Sequence, residues 1–161
     1  MASRVREGFT LIELIVSIAI LLLLVSGLIA SYNNFNQSQQ VGQAAKTVKA
    51  NLKLGQSKAL SALKPASGCT ELRGYTVSFT LATYSTQALC SEIEGLVGAS
   101  VDNSLPANIS FSPVPSAFTF GVITRGLMET TSSVTITIAG FGKTYTLIVE
   151  PNGVITDVGF Q

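Results

Sequence analysis

The residues from Phe9 to Ala30 form an almost unbroken apolar run, interrupted by Thr10, Glu13, Ser17, Ser26 and Gly27 alone. Its 22 residues extend roughly 33 Å as a helix, against a hydrocarbon core of about 30 Å. That length predicts a membrane-spanning helix. Arg4, Arg6 and Glu7 precede it; the positive-inside rule keeps this short charged leader in the cytoplasm and sends everything after Ala30 outside. A cleaved secretory signal has an apolar region of only about 7 to 15 residues and needs small residues before its cut. Here the run is longer, and Leu28-Ile29-Ala30 puts bulk where a small residue belongs. Glu13 is the anomaly. A carboxylate inside a spanning segment costs about 2.5 to 3.5 kcal/mol, so it calls for a partner that neutralises it, unless it snorkels to the cytoplasmic interface of a simple single-pass anchor.

Arg6-Glu7-Gly8-Phe9-Thr10-Leu11-Ile12-Glu13-Leu14 followed by an apolar run resembles the class III signal of type IV pilins and pseudopilins. The resemblance implies that a prepilin peptidase in the membrane cuts between Gly8 and Phe9 and that Phe9 becomes the N-methylated first residue. Both reactions are done to this chain, not by it. It also implies partners: the peptidase, inner-membrane lipid, and other pilin or pseudopilin subunits in a filament. Gly8 leaves the backbone open to a protease, and cleavage creates a cationic amine on Phe9. In a bundle of parallel helices the Glu13 carboxylate of one subunit then reaches the Phe9 amine of another, a pair that costs less buried than either charge alone and that fixes axial register.

With 161 residues in total, about 100 remain for an outer domain, enough for one small core. The charge is +1; without Arg4, Arg6 and Glu7 the acidic and basic side chains balance, so no global field draws a polyanion. There is no His, which removes the usual general base and the commonest zinc ligand. No Ser, Asp or Glu has a companion base at useful spacing, so the chain reads as a non-enzyme without cofactor or metal. Cys69 and Cys90 are 21 positions apart on the side of the membrane where thiols are not kept reduced, which predicts a disulfide; two buried free thiols are the alternative.

Beyond a polar stretch from Ser31 to Gln37, apolar residues at Val41, Ala45, Val48, Leu52, Ala59 and Leu63 keep one helical face. No Pro precedes Pro65, so one helix from about Thr10 to Leu63 is expected, ended by Pro65 and Gly68, its second half amphipathic and laid on a sheet. Period-two alternation predicts strands over residues 75–81, 108–111, 134–138 and 145–149,. Gly140-Phe141-Gly142 makes a hairpin, and Pro151-Asn152-Gly153 turns into a closing strand over 154–158,. The fold class is α+β, a long N-terminal helix on an antiparallel sheet. The organisation is a leader over 1–8, a transmembrane and assembly helix over 9–30, its amphipathic continuation over 31–64 and a β-rich outer domain over 65–161. Gln56-Ser57-Lys58-Ala59-Leu60 and the ending near Gly153-Val154-Ile155 resemble the GspH or FimT type of pseudopilin and minor pilin.

Two motifs compete with this reading. Gly142-Lys143-Thr144 imitates the end of a phosphate-binding loop, but the glycine required at 137 is Thr137, and the segment leads into a strand rather than a helix. Lys46, Lys49, Lys53, Lys58 and Lys64 are the one basic concentration, and 46, 49 and 53 share a helical face. That face is either a contact for DNA phosphates or lipid head groups, as in a minor pilin that takes up DNA, or a solvated flank that meets acidic residues of neighbouring subunits. The resulting localisation is the cytoplasmic membrane, N-terminus in and outer domain out, and then an extracellular or periplasmic filament.

Overall fold

A computed structural model describes residues 9–91, 95–128 and 130–161, with the side chains of 26–30 excepted. The leader residues Arg4, Arg6, Glu7 and Gly8 lie outside the described residues. The chain divides into two compact units, one ending at Gln37 and the other running from Ser38 to Gln161. Helix α1, Leu11–Leu60, passes through both.

In the first unit the described side chains of α1 from Leu11 to Val25 are mostly apolar and all exposed. Among the described residues no helix is long and apolar enough to cross a membrane. Of the apolar stretch counted from the sequence, side chains 26–30 lie outside this description, which covers it from Phe9 to Val25.

In the second unit α1 buries Val41, Ala44, Ala45, Val48, Leu52 and Ala59, the stripe that the period of 3.6 requires. Leu63, expected to extend this stripe, is 55% exposed. The helix stops before it. The Leu63 amide donates to the Lys58 carbonyl and the Ala62 amide to the Ala59 carbonyl, each at 3.1 Å. Ala62 has φ of 48°. This is a Schellman cap with alanine at the left-handed position that usually holds glycine, so the helix ends ahead of Pro65 and Gly68 and Leu63 swings away from the core.

The strands form two antiparallel sheets rather than one. The first contains β1 (Leu72–Phe79), β2 (Thr83–Cys90), β3 (Gly95–Ser104), β5 (Phe118–Gly121) and β6 (Leu127–Met128), in the order β3-β2-β1-β5-β6. The second contains β4 (Ile109–Phe111), β7 (Val134–Gly140), β8 (Lys143–Val149) and β9 (Ile155–Phe160), in the order β4-β7-β8-β9. The inner faces share one core with α1, including Val77, Phe120, Ile136, Ile138, Leu147 and Val149. Phe111 of the second sheet seals the join, edge-on to Phe79 (ring centroids 5.2 Å) and Tyr84 (6.0 Å) of the first, an arrangement that suits aromatic quadrupoles.

The hairpin expected at Gly140 pairs Gly140 with Lys143. Its two turn residues, Phe141 and Gly142, have φ of 55° and 71°, as in the primed two-residue turns that match strand twist. Lys143 therefore opens β8, and the phosphate-loop imitation is a hairpin turn. The expected disulfide is present: Cys69 and Cys90 are bonded, with Cα atoms 5.6 Å apart, fastening the connector after α1 to the end of β2.

Candidate functional site

The first candidate site is the start of α1. Phe9 and Thr10 lie outside the helix, and Phe9 is 83% exposed. The Thr10 amide and hydroxyl both donate to Glu13 Oε2, at 3.0 and 2.8 Å, while the Glu13 amide donates to Thr10 Oγ1 at 3.3 Å. Thr-x-x-Glu is thus a reciprocal capping box, satisfying backbone donors that a helix start leaves orphaned. The carboxylate also lies in the first turn, where the helix dipole favours negative charge. Glu13 therefore has a role within its own chain, one that the Thr10-x-x-Glu13 spacing encodes,. Gly8 lies outside the described residues.

The second candidate is the lysine flank of α1. Lys46, Lys49 and Lys53 do share a surface, around a depression of about 320 Å³ that Tyr145 and Asp157 complete. Lys46 and Lys53 are exposed. Lys49 forms an ion pair with Asp157 of β9, and Tyr145 Oη donates to the other carboxylate oxygen of Asp157 at 3.5 Å. Burial pushes the Tyr145 phenol up, and the Asp157 charge adds to that shift. The flank is consequently less cationic than its lysine count, because a carboxylate 108 positions away in sequence neutralises one of the three. The pair is open to solvent, with side chains 20% and 40% exposed, and contributes about 0 to 1 kcal/mol. Among the described residues no group of three or more Cys, Asp and Glu side chains is placed to hold a metal ion.

The side of α1 two residues further round carries a different set of contacts. Asn51 Nδ2 donates to Tyr84 Oη at 2.6 Å and to Asn103 Oδ1 at 3.1 Å. Residues 49 and 51 are about 200° apart round a helix, so β9 and β3 flank α1 on opposite sides. Gln56 Nε2 donates to the carbonyls of Arg125 and Gly153, both at 2.8 Å. It ties the helix to two loops at once.

Residues 3–29 match the prokaryotic N-terminal methylation motif, over the segment that holds Gly8, Phe9 and Glu13. Together with the fold, that match supports a type IV pilin or pseudopilin. In structure the chain is similar to the type IV minor pilin FimU of Pseudomonas aeruginosa strain PAO1, with a TM-score of 0.52 and 16% identity over 72% of this chain and 90% of that one. At this identity the likeness is one of fold. No curated protein matches the chain in sequence.

Proposed function

We propose that this chain is a structural subunit of a type IV pilus-like or type II secretion pseudopilus filament, cut after Gly8 by a prepilin peptidase, methylated on Phe9 and assembled through its N-terminal helix. The methylation motif over residues 3–29 carries the reading. The character of α1 supports it: from Leu11 to Val25 its large apolar side chains are exposed around every face, and a helix apolar all round needs lipid or other helices as its surroundings. The subunit waits in the cytoplasmic membrane and exchanges lipid contacts for helix contacts as it enters the fibre. Its partners are then other pilin or pseudopilin subunits, and its role is structural rather than catalytic.

Glu13 has two tasks in this scheme. Oε2 holds the Thr10 cap, while Oε1 takes the Phe9 amine of a neighbouring subunit. Mass spectrometry of the mature chain tests processing: a start at methylated Phe9 is expected, and an intact Met1 or Ala2 start defeats it. Glu13→Gln separates the two tasks of the carboxylate, because glutamine also closes a capping box but carries no charge. The variant is expected to keep its helix start and lose incorporation into filaments. Incorporation at the wild-type level would remove the charge pairing.

The reading of the lysine flank as a DNA contact gains nothing from the Lys49–Asp157 pair.

A further inference from the structure

A trough lies between the C-terminal part of α1 and β3, on the side of the helix away from Lys49. Two depressions share Lys58, Thr86 and Val101 and so join into one; the larger has a volume of about 400 Å³. Its floor includes Tyr75 and Thr86 of the first sheet, one wall carries Lys58 and Lys64, and the other carries Val97 and Val101. The trough exists because β3 is the outermost strand and α1 does not cover it. Val101, on the trough wall, is left 43% exposed. At the far end the Asn51–Asn103 hydrogen bond bridges helix to strand.

Length, polarity and charge together define an occupant. Val97 pairs with Ala88 and Asn103 with Tyr84, so this stretch of β3 runs alongside four residue steps of β2, roughly 13 Å, and matches about four residues of extended chain. The walls pair apolar surface with two cations: among the described residues Lys58 and Lys64 line the trough, and no carboxylate does. The carboxylate of β3 itself, Asp102, is not part of the lining. Lys64 Nζ is held by donation to the Thr70 carbonyl, and the disulfide at Cys69 fastens the connector that carries it, so this charge is pre-positioned.

We propose that this trough docks an extended acidic segment of a partner protein, with carboxylates on Lys58 and Lys64 and an apolar side chain against Val97 and Val101. The proposal goes beyond the filament reading and does not depend on it. Recognition combines a preformed apolar slot with charged groups that set orientation.

The test uses the full chain in lipid nanodiscs and a fluorescein-labelled hexapeptide of alternating Glu and Leu, followed by anisotropy. Matched Gln-Leu and Lys-Leu peptides, a single-stranded oligothymidylate and empty nanodiscs serve as comparisons. Saturable binding of the acidic peptide is expected, weakened by added salt and by about tenfold in the Lys58→Glu/Lys64→Glu double variant. Val101→Glu, at a half-exposed position of the outermost strand, is expected to weaken it as well. Failure of the acidic peptide to bind, equal binding of the Gln and Glu peptides, or indifference to both variants would overturn the proposal. Tighter binding of the oligothymidylate, lost in the double variant, would also overturn it in favour of a nucleic-acid groove. Because the readout is peptide binding by single molecules, it stands or falls apart from processing at Gly8.

Discussion

Replacing Gly153 by alanine is expected to cost the outer unit about 3 to 4 kcal/mol, since three elements converge on a point with no room for a methyl group. Gly153 closes the turn between β8 and β9 with φ of 82°, donating to the Glu150 carbonyl at 2.8 Å. A Cβ there would lie 1.6 Å from the Arg125 carbonyl oxygen and 2.5 Å from Gln56 Nε2. The left-handed conformation alone costs a non-glycine residue about 1 to 2 kcal/mol. The backbone clash cannot be relieved by rotating a side chain, so the turn must move away from the 122–126 loop. Gln56 then loses one or both of its bonds to Arg125 and Gly153, and the 2.8 Å bond from the Leu127 amide to the Pro151 carbonyl is stretched. Each bond is worth about 0.5 to 1.5 kcal/mol net. For a unit of this size the melting temperature should fall by about 12 to 20 °C, measured by circular dichroism on the full chain in detergent. Gln56→Ala, which loses the bonds without the clash, should cost about 1 to 2 kcal/mol. A Gly153→Ala loss below about 1 kcal/mol would refute the reasoning, because it would mean that turn and loop separate freely.

Ala62→Gly should do the reverse and stabilise the chain by about 0.5 to 1 kcal/mol, a rise in melting temperature, since Ala62 occupies a left-handed cap position (φ 48°) that glycine adopts without strain. Reducing the Cys69–Cys90 disulfide should lower stability by roughly 3 kcal/mol in the chain-entropy model for a loop of this length, read as the difference between denaturant midpoints with and without reductant. Alkaline conditions should also destabilise the fold. Burial pushes the Tyr84 and Tyr75 phenols up, so the folded state holds these protons more tightly than the unfolded state. Their contribution is complete below the ordinary phenol range and is lost as pH rises through the folded values, which a pH series of melts into the alkaline range checks.

Much of the architecture was legible because it rests on periodicity. The stripe through Val41, Ala45, Val48, Leu52 and Ala59 announced a helix laid on a sheet, and the alternation in β7 and β8 announced a hairpin whose turn residues fit. β2 escaped because its core-facing positions, Tyr84, Thr86, Ala88 and Cys90, include a threonine, an alanine and a cysteine, a weak apolar signal although the period is two. β5 is too short to show more than Phe118 and Phe120. The four strands of the second sheet were each legible, but the division into two sheets was not, since nothing local tells β4 to pair with β7 rather than β3. In the candidate site, Glu13 stood out by the cost of its charge, and its capping partner Thr10 was available from spacing. Asp157 was not. A long-range ion pair leaves no local pattern, so the lysine flank looked more cationic in sequence than it is in space.

The capping box has a consequence for how the helix tolerates trimming. Every atom of the cap belongs to Thr10 or Glu13, and the Leu14 amide follows on the Thr10 carbonyl at 3.2 Å. A cut ahead of Phe9 therefore leaves each of these donors and acceptors in the chain. Under the proposed processing, the new terminal charge on Phe9 would arise one residue ahead of a cap whose own bonds all survive the cut.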